Sequence, residues 1–130
     1  MIDEFKLEIV NPEKSFLIKE DVIEVVIPAF EGEMGILKDH ISIISFLKPG
    51  IIKVFYKSEE ENYYVEDGIV EFKNNCLSIL TSLIFNTKDL DKNKIDQITK
   101  ETQKELNSEK IDDQKKYLLD QKIDVLKSIN

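Results

Sequence analysis

Arginine and tryptophan are absent from this chain of 130 residues, and cysteine, histidine and alanine each occur once. The single cysteine, Cys76, excludes an internal disulfide, and we interpret it as a small residue of a strand rather than a reactive thiol. One histidine and one cysteine cannot form a Cys/His zinc site. Neither a Gly-x-x-x-x-Gly-Lys-Ser phosphate loop nor a Gly-x-Gly-x-x-Gly motif is present. We therefore expect no catalytic residues, no metal and no cofactor.

Long apolar runs are also missing, since no segment approaches the roughly 20 apolar residues that span a bilayer. Residues 1–5 are acidic and lead directly into a strand, unlike a secretory signal or a basic transit peptide. We expect the chain to remain in the compartment where it is made, without direct membrane insertion. Its net charge of -8 argues against nucleic acid as a partner, because that partner demands a basic surface.

The chain changes character near Thr87, which predicts two domains, 1–87 and 88–130. All four glycines, all three prolines and ten of the eleven aromatic residues lie in the first. The first also carries 16 acidic residues against 8 lysines, whereas the second carries 10 of each. The whole negative charge therefore belongs to residues 1–87.

Short strands separated by turns are the pattern of residues 1–87. The candidate strands are Phe5–Ile9, Phe16–Ile18, Val22–Ile27, Ile41–Leu47, Ile51–Tyr56, Tyr63–Val65, Ile69–Phe72 and Cys76–Phe85. Pro49-Gly50 predicts a type II turn with a positive φ at the glycine, and Asn74-Asn75 predicts a two-residue turn. Many short strands with frequent turns favour a sandwich or a barrel.

Two helices are predicted in residues 88–130, joined at Asn107-Ser108. Asp91 can cap the first helix, and Asp112 lies at the start of the second. One narrow face of the first helix is marked by Ile95, Ile98, Thr102 and Leu106, and the second helix has a broader apolar stripe of Leu118, Leu119, Ile123, Leu126 and Ile129. A short connection makes them an antiparallel hairpin. Because the hairpin has little to bury, two interpretations stay open, a mobile domain and a fixed tail.

The segment from Pro28 to His40 contains Gly32 and Gly35 and ends at the only histidine. Gly-x-x-Gly after a strand predicts a sharply shaped loop that exposes Glu31, Glu33 and His40. The two glutamates could act as an acid–base pair, or the histidine as a base. No pocket or nucleophile is implied around them, so we favour a binding module over an enzyme.

Together these features resemble the epsilon chain of bacterial F-type ATP synthases, the counterpart of mitochondrial delta. The similarity runs through Glu31–Leu37 with His40, then Leu47–Gly50, Tyr64–Phe72 and Asn75–Leu80. These blocks keep the family's order and spacing across most of residues 5–85. The helical half is similar in length and position but only weakly in sequence.

An α+β protein is the fold that the resemblance implies, with an N-terminal all-β sandwich and a C-terminal antiparallel helical hairpin. It implies a central-stalk rotor subunit, itself not an enzyme, peripheral to the bacterial cytoplasmic membrane on its cytoplasmic side. The sandwich would bind the gamma subunit and the c-ring, and so couple c-ring rotation to ATP synthesis. The hairpin could extend along gamma towards the alpha/beta catalytic head and block ATP hydrolysis.

Individual residues take roles from the resemblance by motif position. Glu33, His40 and Asn11 would contact the c-ring. The residues expected to shape loops are Gly32, Gly35, Pro49, Gly50 and Gly68. Some members bind ATP in the hairpin through an Ile/Leu-Asp-x-x-Arg-Ala motif; Ile95 and Asp96 match only its start, and Thr99-Lys100 replaces its end, so no ATP binding is expected. Lys38-Asp39 stand where the family usually has a proline and a small residue.

Two alternatives remain beside the rotor subunit. One is a free-standing β-sandwich adaptor that binds an unrelated protein, which would not co-purify with gamma and the c-ring. The other is an enzyme that uses Glu31, Glu33 and His40, which would require an apolar pocket beside the loop.

Overall fold

A computed structural model of the chain describes residues 3–108 and 110–129. The outermost residues of the two predicted domains, 1–2 and 130, lie outside this description. The strands are β1 (Phe5–Asn11), β2 (Lys14–Val22), β3 (Glu24–Ala29), β4 (Gly32–Leu37), β5 (Ile43–Leu47), β6 (Gly50–Phe55), β7 (Glu60–Val65), β8 (Gly68–Lys73), β9 (Cys76–Leu80) and β10 (Ile84–Asn86). A short 3-10 helix (Thr87–Asp89) leads into the helices α1 (Lys92–Leu106) and α2 (Asp113–Ser128).

The strands form two layers of one continuous hydrogen-bonded sheet. Strand order is β10-β7-β6-β3-β5-β8-β9-β1-β2, and β4 pairs with the other edge of β3. We call β4, β3, β6, β7 and β10 the first layer and the remaining five strands the second layer. Neighbours are antiparallel except β1 and β9, which run parallel from Lys6 opposite Cys76 to Val10 opposite Leu80. The predicted fold class, a β-sandwich followed by a helical hairpin, is confirmed.

Strands β5 and β6 are two halves of one bent strand that passes from layer to layer. β3 pairs with both of them, because Ala29 lies opposite Leu47 and Val26 lies opposite Lys53. The bend falls at 48–50, which we call the corner. A Cβ on Gly50 would collide with the side chain of Pro28, so only glycine fits there. The φ of Gly50 is not positive, so the predicted type II turn is wrong. The glycine is needed instead because its backbone lies close to Pro28 of β3.

The core lies between the layers and is filled by alternate side chains of the strands. Phe5, Leu7, Ile9, Val22, Val25, Ile27, Ile36, Leu47, Ile52, Val54, Tyr63, Val65, Val70, Phe72, Leu77, Ile79 and Ile84 are all buried in it. The rings of Phe5 and Phe72 meet edge to face with centroids 5.7 Å apart. Every residue of this core precedes Thr87.

The helical hairpin packs on the outer face of the first layer, around a second apolar cluster. Its buried members are Tyr64, Leu90, Ile95 and Leu126, flanked by Ile51, Leu83, Phe85, Ile98, Val125 and Ile129. The caps agree with the sequence: Asp91 accepts a hydrogen bond from the Lys94 N–H at 2.8 Å, and Asp112 accepts one from the Lys115 N–H at 2.7 Å. The hairpin is thus folded onto the sandwich.

Two predicted strands are divided in the structure. Val22–Ile27 is wrong as one strand, because Val22 ends β2 and β3 begins at Glu24. Cys76–Phe85 is split into β9 and β10, since the Thr81 hydroxyl donates to the carbonyl of Asp67 at 2.7 Å and fixes a break there. The predicted turn at Asn74-Asn75 is confirmed, with φ values of 53° and 56°.

Candidate functional site

The segment from Pro28 to His40 is a β-hairpin, so the predicted loop is wrong over most of its length. β3 and β4 pair from Glu24 opposite Leu37 to Ala29 opposite Gly32, which leaves Phe30 and Glu31 as the turn. Gly32 has the positive φ, 131°, that a turn-shaping glycine requires. Gly35 lies inside β4 without a positive φ, so its expected loop-shaping role is wrong. One left-handed residue closes the turn, and the rest of the segment pairs as strand.

Glu33 and Asn11 lie at the same end of the sandwich, beside the corner. Glu33 is exposed opposite Pro28 and lines, with Pro49, a cavity of about 340 Å³ between the corner and α2. Asn11 ends β1, and its side-chain oxygen accepts a hydrogen bond from the Glu13 N–H at 3.2 Å. Pro12, the next residue, lines a groove that Pro49 also borders. The structure thus brings two of the three predicted contact residues to one region.

His40 lies at the opposite end of β4. Its ring meets Phe72 edge to face with centroids 6.0 Å apart, and its Nδ1 is 2.7 Å from the carbonyl oxygen of Ile41. The preceding Asp39 has a φ of 66°. Its backbone N–H donates to the side-chain oxygen of Asn75 at 2.7 Å, and its carboxylate accepts from the Asn75 side-chain amide at 3.0 Å. At about 3.3 Å per residue, the strand from Glu33 to Leu37 alone spans about 13 Å. The structure therefore does not bring Glu33 and His40 together.

An exposed apolar row crosses three strands on the outer face of the second layer. Phe46 of β5 lies opposite Ile69 of β8, which lies opposite Leu80 of β9. These side chains, which we call the apolar row, are 57%, 45% and 49% exposed. Ile44, two residues before Phe46 on the same face, is 70% exposed. A contiguous exposed apolar surface of this kind marks an interaction site.

The apolar row borders a groove of about 420 Å³ next to the corner. Phe30 closes the groove on the side of the β3–β4 turn, and Leu118 of α2 closes it on the side of the hairpin. Gly68 lies at its base, where an added Cβ would come within 2.9 Å of both a Leu47 methyl and the Leu80 carbonyl oxygen. Gly68, which the sequence predicts to shape a loop, is therefore also required by the close packing around it. The groove is lined by the sandwich and by the hairpin together.

The sequence carried a signal for the apolar row that our interpretation missed. Ile41–Leu47 is an almost unbroken apolar run, yet successive side chains of a strand point to opposite faces. Leu47 lies in the core and Ile43 packs against it, so Ile44 and Phe46 between them face outward. A continuous run in an antiparallel sheet with no cover on one face therefore indicates a binding surface.

The two residues that match the start of the ATP motif lie next to each other on α1. Ile95 is buried against the sandwich, and Asp96 is exposed on α1. In the ranges that the structure describes, no three His, Cys, Asp or Glu side chains are grouped as a metal would require. The same ranges hold no helix that is both long and apolar enough to cross a bilayer.

Comparison with known proteins gives the family. The model for "ATP synthase, Delta/Epsilon chain, beta-sandwich domain" matches residues 4–86. The ATP synthase epsilon chain of Pelagibacter ubique (strain HTCC1062) is 72% identical over 130 residues, which is 100% of both chains. This chain belongs to the ATP synthase delta/epsilon family. A more distant member, the mitochondrial ATP synthase subunit delta of Schizosaccharomyces pombe, is 36% identical over 104 residues, covering 78% of this chain and 62% of its own length.

Solved structures share the fold. A chain in the mitochondrial ATP synthase of Euglena gracilis, determined as OSCP, F1 and c-ring, has a TM-score of 0.76 at 21% identity, with 96% of this chain and 78% of the other covered. A chain in the central stalk and c-ring structure of the Tetrahymena thermophila mitochondrial enzyme has a TM-score of 0.70 at 17% identity, with 95% and 93% covered. The predicted resemblance is confirmed, and family membership favours it over the adaptor and enzyme interpretations.

Proposed function

We propose that this chain is the central-stalk rotor subunit of a proton-translocating F-type ATP synthase. The full-length identity of 72% to an epsilon chain is the observation that carries the proposal. In this role the chain is not a catalyst: it sits peripherally on the cytoplasmic side of the bacterial membrane, turns with the c-ring and couples rotation to ATP synthesis.

The apolar row is the proposed contact with the gamma subunit. A rotor subunit must stay attached through many turnovers, and permanent interfaces are the more apolar class. Fully burying a large apolar side chain contributes about 1.5–3 kcal/mol, and these three are already about half buried, so each would add roughly half of that. Phe46, Ile69 and Leu80 therefore contribute part of the affinity that such an attachment needs.

Replacing Phe46 and Ile69 by serine tests this contact. We expect the double variant to keep its fold, since both side chains are already about half exposed, but to be lost from purified complexes that contain gamma. Leu37→Ser is the matched control, because Leu37 is 53% exposed but lies on β4 in the first layer. Equal retention of both variants on gamma would contradict the assignment.

Glu33 and Asn11 are the proposed contacts with the c-ring. Both lie beside the corner, and polar or charged contacts at an interface fix orientation and register. His40 follows the far end of β4 from Glu33, so it is tested by a variant of its own.

Separate Glu33→Ala and His40→Ala variants distinguish the two positions. We expect Glu33→Ala to lower ATP-driven proton pumping while the stability of the isolated chain changes by no more than about 0.5 kcal/mol. His40→Ala removes the contact with Phe72, so we expect a measurable loss of stability from it. Unimpaired pumping by Glu33→Ala would contradict its role at the ring.

Residues 88–130 are the proposed regulatory domain. The hairpin lies on the sandwich here, and in the extended form it would run along gamma to the alpha/beta catalytic head and block ATP hydrolysis. The ATPase rate of the assembled complex with and without residues 88–130 measures this role. An ATPase rate that is unchanged by the deletion would contradict the proposed inhibition.

A further inference from the structure

One carboxylate connects the sandwich to the helical hairpin. Glu66 lies in the turn between β7 and β8, and its Oε2 accepts a hydrogen bond from the Tyr64 hydroxyl at 2.9 Å. The same oxygen is 3.1 Å from the Nζ of Lys122 on α2. In the part of the chain that the structure describes, this is the one ion pair between hairpin and sandwich.

The Glu66–Lys122 pair is shielded from water. Its side chains are 24% and 15% exposed. The chain contains a natural contrast, the pair Glu105–Lys115 within the hairpin, which is 3.6 Å long with side chains 51% and 55% exposed. Exposed pairs contribute little, whereas breaking a shielded pair leaves a poorly solvated charge behind. The two pairs are chemically alike and differ mainly in environment.

The other contacts of the hairpin with the sandwich are less specific. The apolar cluster around Tyr64 and Leu126 supplies contact area without fixing orientation. Lys94 of α1 lies over the ring of Phe85, 5.2 Å from its centroid, which adds a weak cation–π contact. The directional contact that places α2 is therefore the ion pair of Lys122 with Glu66, and the Tyr64 hydroxyl fixes the carboxylate for it.

We propose that Tyr64, Glu66 and Lys122 form a latch that holds the hairpin on the sandwich, and that loss of Lys122 from the latch releases it. Glu66 also lines the groove beside the apolar row, on whose other wall Leu118 of α2 lies. The latch is a property of the isolated chain, so it stands or falls independently of the rotor assignment.

Hydrogen exchange on the purified full chain tests the latch. In Lys122→Met the charge is lost but the apolar stem remains, and the Glu66 carboxylate loses its cation and keeps only the Tyr64 hydroxyl. We expect amides of α1 and α2 to exchange at least about tenfold faster than in the parent, while β1, β8 and β9 are unchanged. Lys115→Met is the matched control, and we expect its helix amides to stay within about twofold of the parent.

A charge swap completes the test. Lys122→Glu places two carboxylates together and should release the hairpin, and adding Glu66→Lys should restore most of the protection. The latch is overturned if Lys122→Met behaves like Lys115→Met, or if the swap restores nothing. It is also overturned if the strands lose protection together with the helices, because the pair would then stabilise the whole fold.

Discussion

Single residues of the same type serve different purposes in this chain. Gly32 is required for its backbone angle, and Gly50 because a Cβ would collide with Pro28. Gly68 is required for both reasons, since its φ is 159° and a Cβ there would crowd Leu47. Gly35 has neither need: the nearest atom to a Cβ there is a carboxylate oxygen of Glu24 at 3.1 Å, at the end of a flexible side chain. The glycines are therefore not equally sensitive to replacement.

Gly50→Ala should destabilise the sandwich, because its Cβ would overlap the side chain of Pro28 at the corner. We expect a loss of about 1–3 kcal/mol in the free energy of unfolding, measured by urea denaturation. Gly35→Ala in β4 is the control, and we expect a change below about 0.5 kcal/mol there. A loss from Gly35→Ala as large as that from Gly50→Ala would contradict the close approach at the corner.

Three tyrosines have perturbed acidities. Burial is the main cause that raises the pKa of Tyr56, Tyr63 and Tyr64 well above the ordinary value of 10.0. The charge of Glu61 raises the pKa of the first two further, and that of Glu66 raises the pKa of Tyr64. All three phenols therefore stay neutral in the folded chain at a pH where the unfolded chain ionises them.

Stability should fall in alkali. Below pH 10 the tyrosines are neutral in both states, but above about pH 10 only the unfolded state releases their protons, so unfolding becomes more favourable as pH rises. We expect Tm to fall between about pH 9.5 and 11, and to fall less in Tyr64→Phe than in the parent. Tyr117→Phe, which alters a half-exposed ring, is the control. Identical pH profiles of Tyr64→Phe and the parent would refute this account.

At the scale of elements, local chemistry was predictable and pairing was not. Asn74-Asn75, Asp91 and Asp112 were identified because each acts on its own few residues. The division of Cys76–Phe85 was missed, because the break depends on Thr81 bonding to Asp67, 14 residues away. The sequence predicts a loop where the β3–β4 hairpin lies, because two glycines suggest two left-handed residues and only Gly32 is one.

A fragment of residues 1–87 should fold alone, because the core lies entirely within it. We expect cooperative urea unfolding and dispersed amide NMR signals. Removing the hairpin exposes Tyr64, which is fully buried in the full chain, so the fragment should be less soluble. A molten fragment would mean that the hairpin is an integral part of the fold, and the proposed division near Thr87 would be wrong.

At the scale of the whole molecule, the sequence indicated the family but not the arrangement of the site. The motif blocks identified Glu33, His40 and Asn11, and nothing in their spacing revealed that β4 separates the first two. The apolar row could not be predicted from the sequence either, because Phe46, Ile69 and Leu80 come from three strands that become neighbours only when the sheet pairs. Residues distant in sequence become one surface only through the sheet.

The parallel pairing of β1 with β9 has a consequence for synthesis. Lys6 and Cys76, which are partners, are about 70 residues apart in the chain. At about 5–20 residues per second, a ribosome needs roughly 4 to 14 seconds to make β9 after β1. Throughout that interval β1 can pair only with β2, and its other edge stays open to other chains. The sandwich can therefore close only after residue 80 has left the ribosome. Until then the unpaired edge of β1 in the nascent chain is exposed to aggregation with other chains.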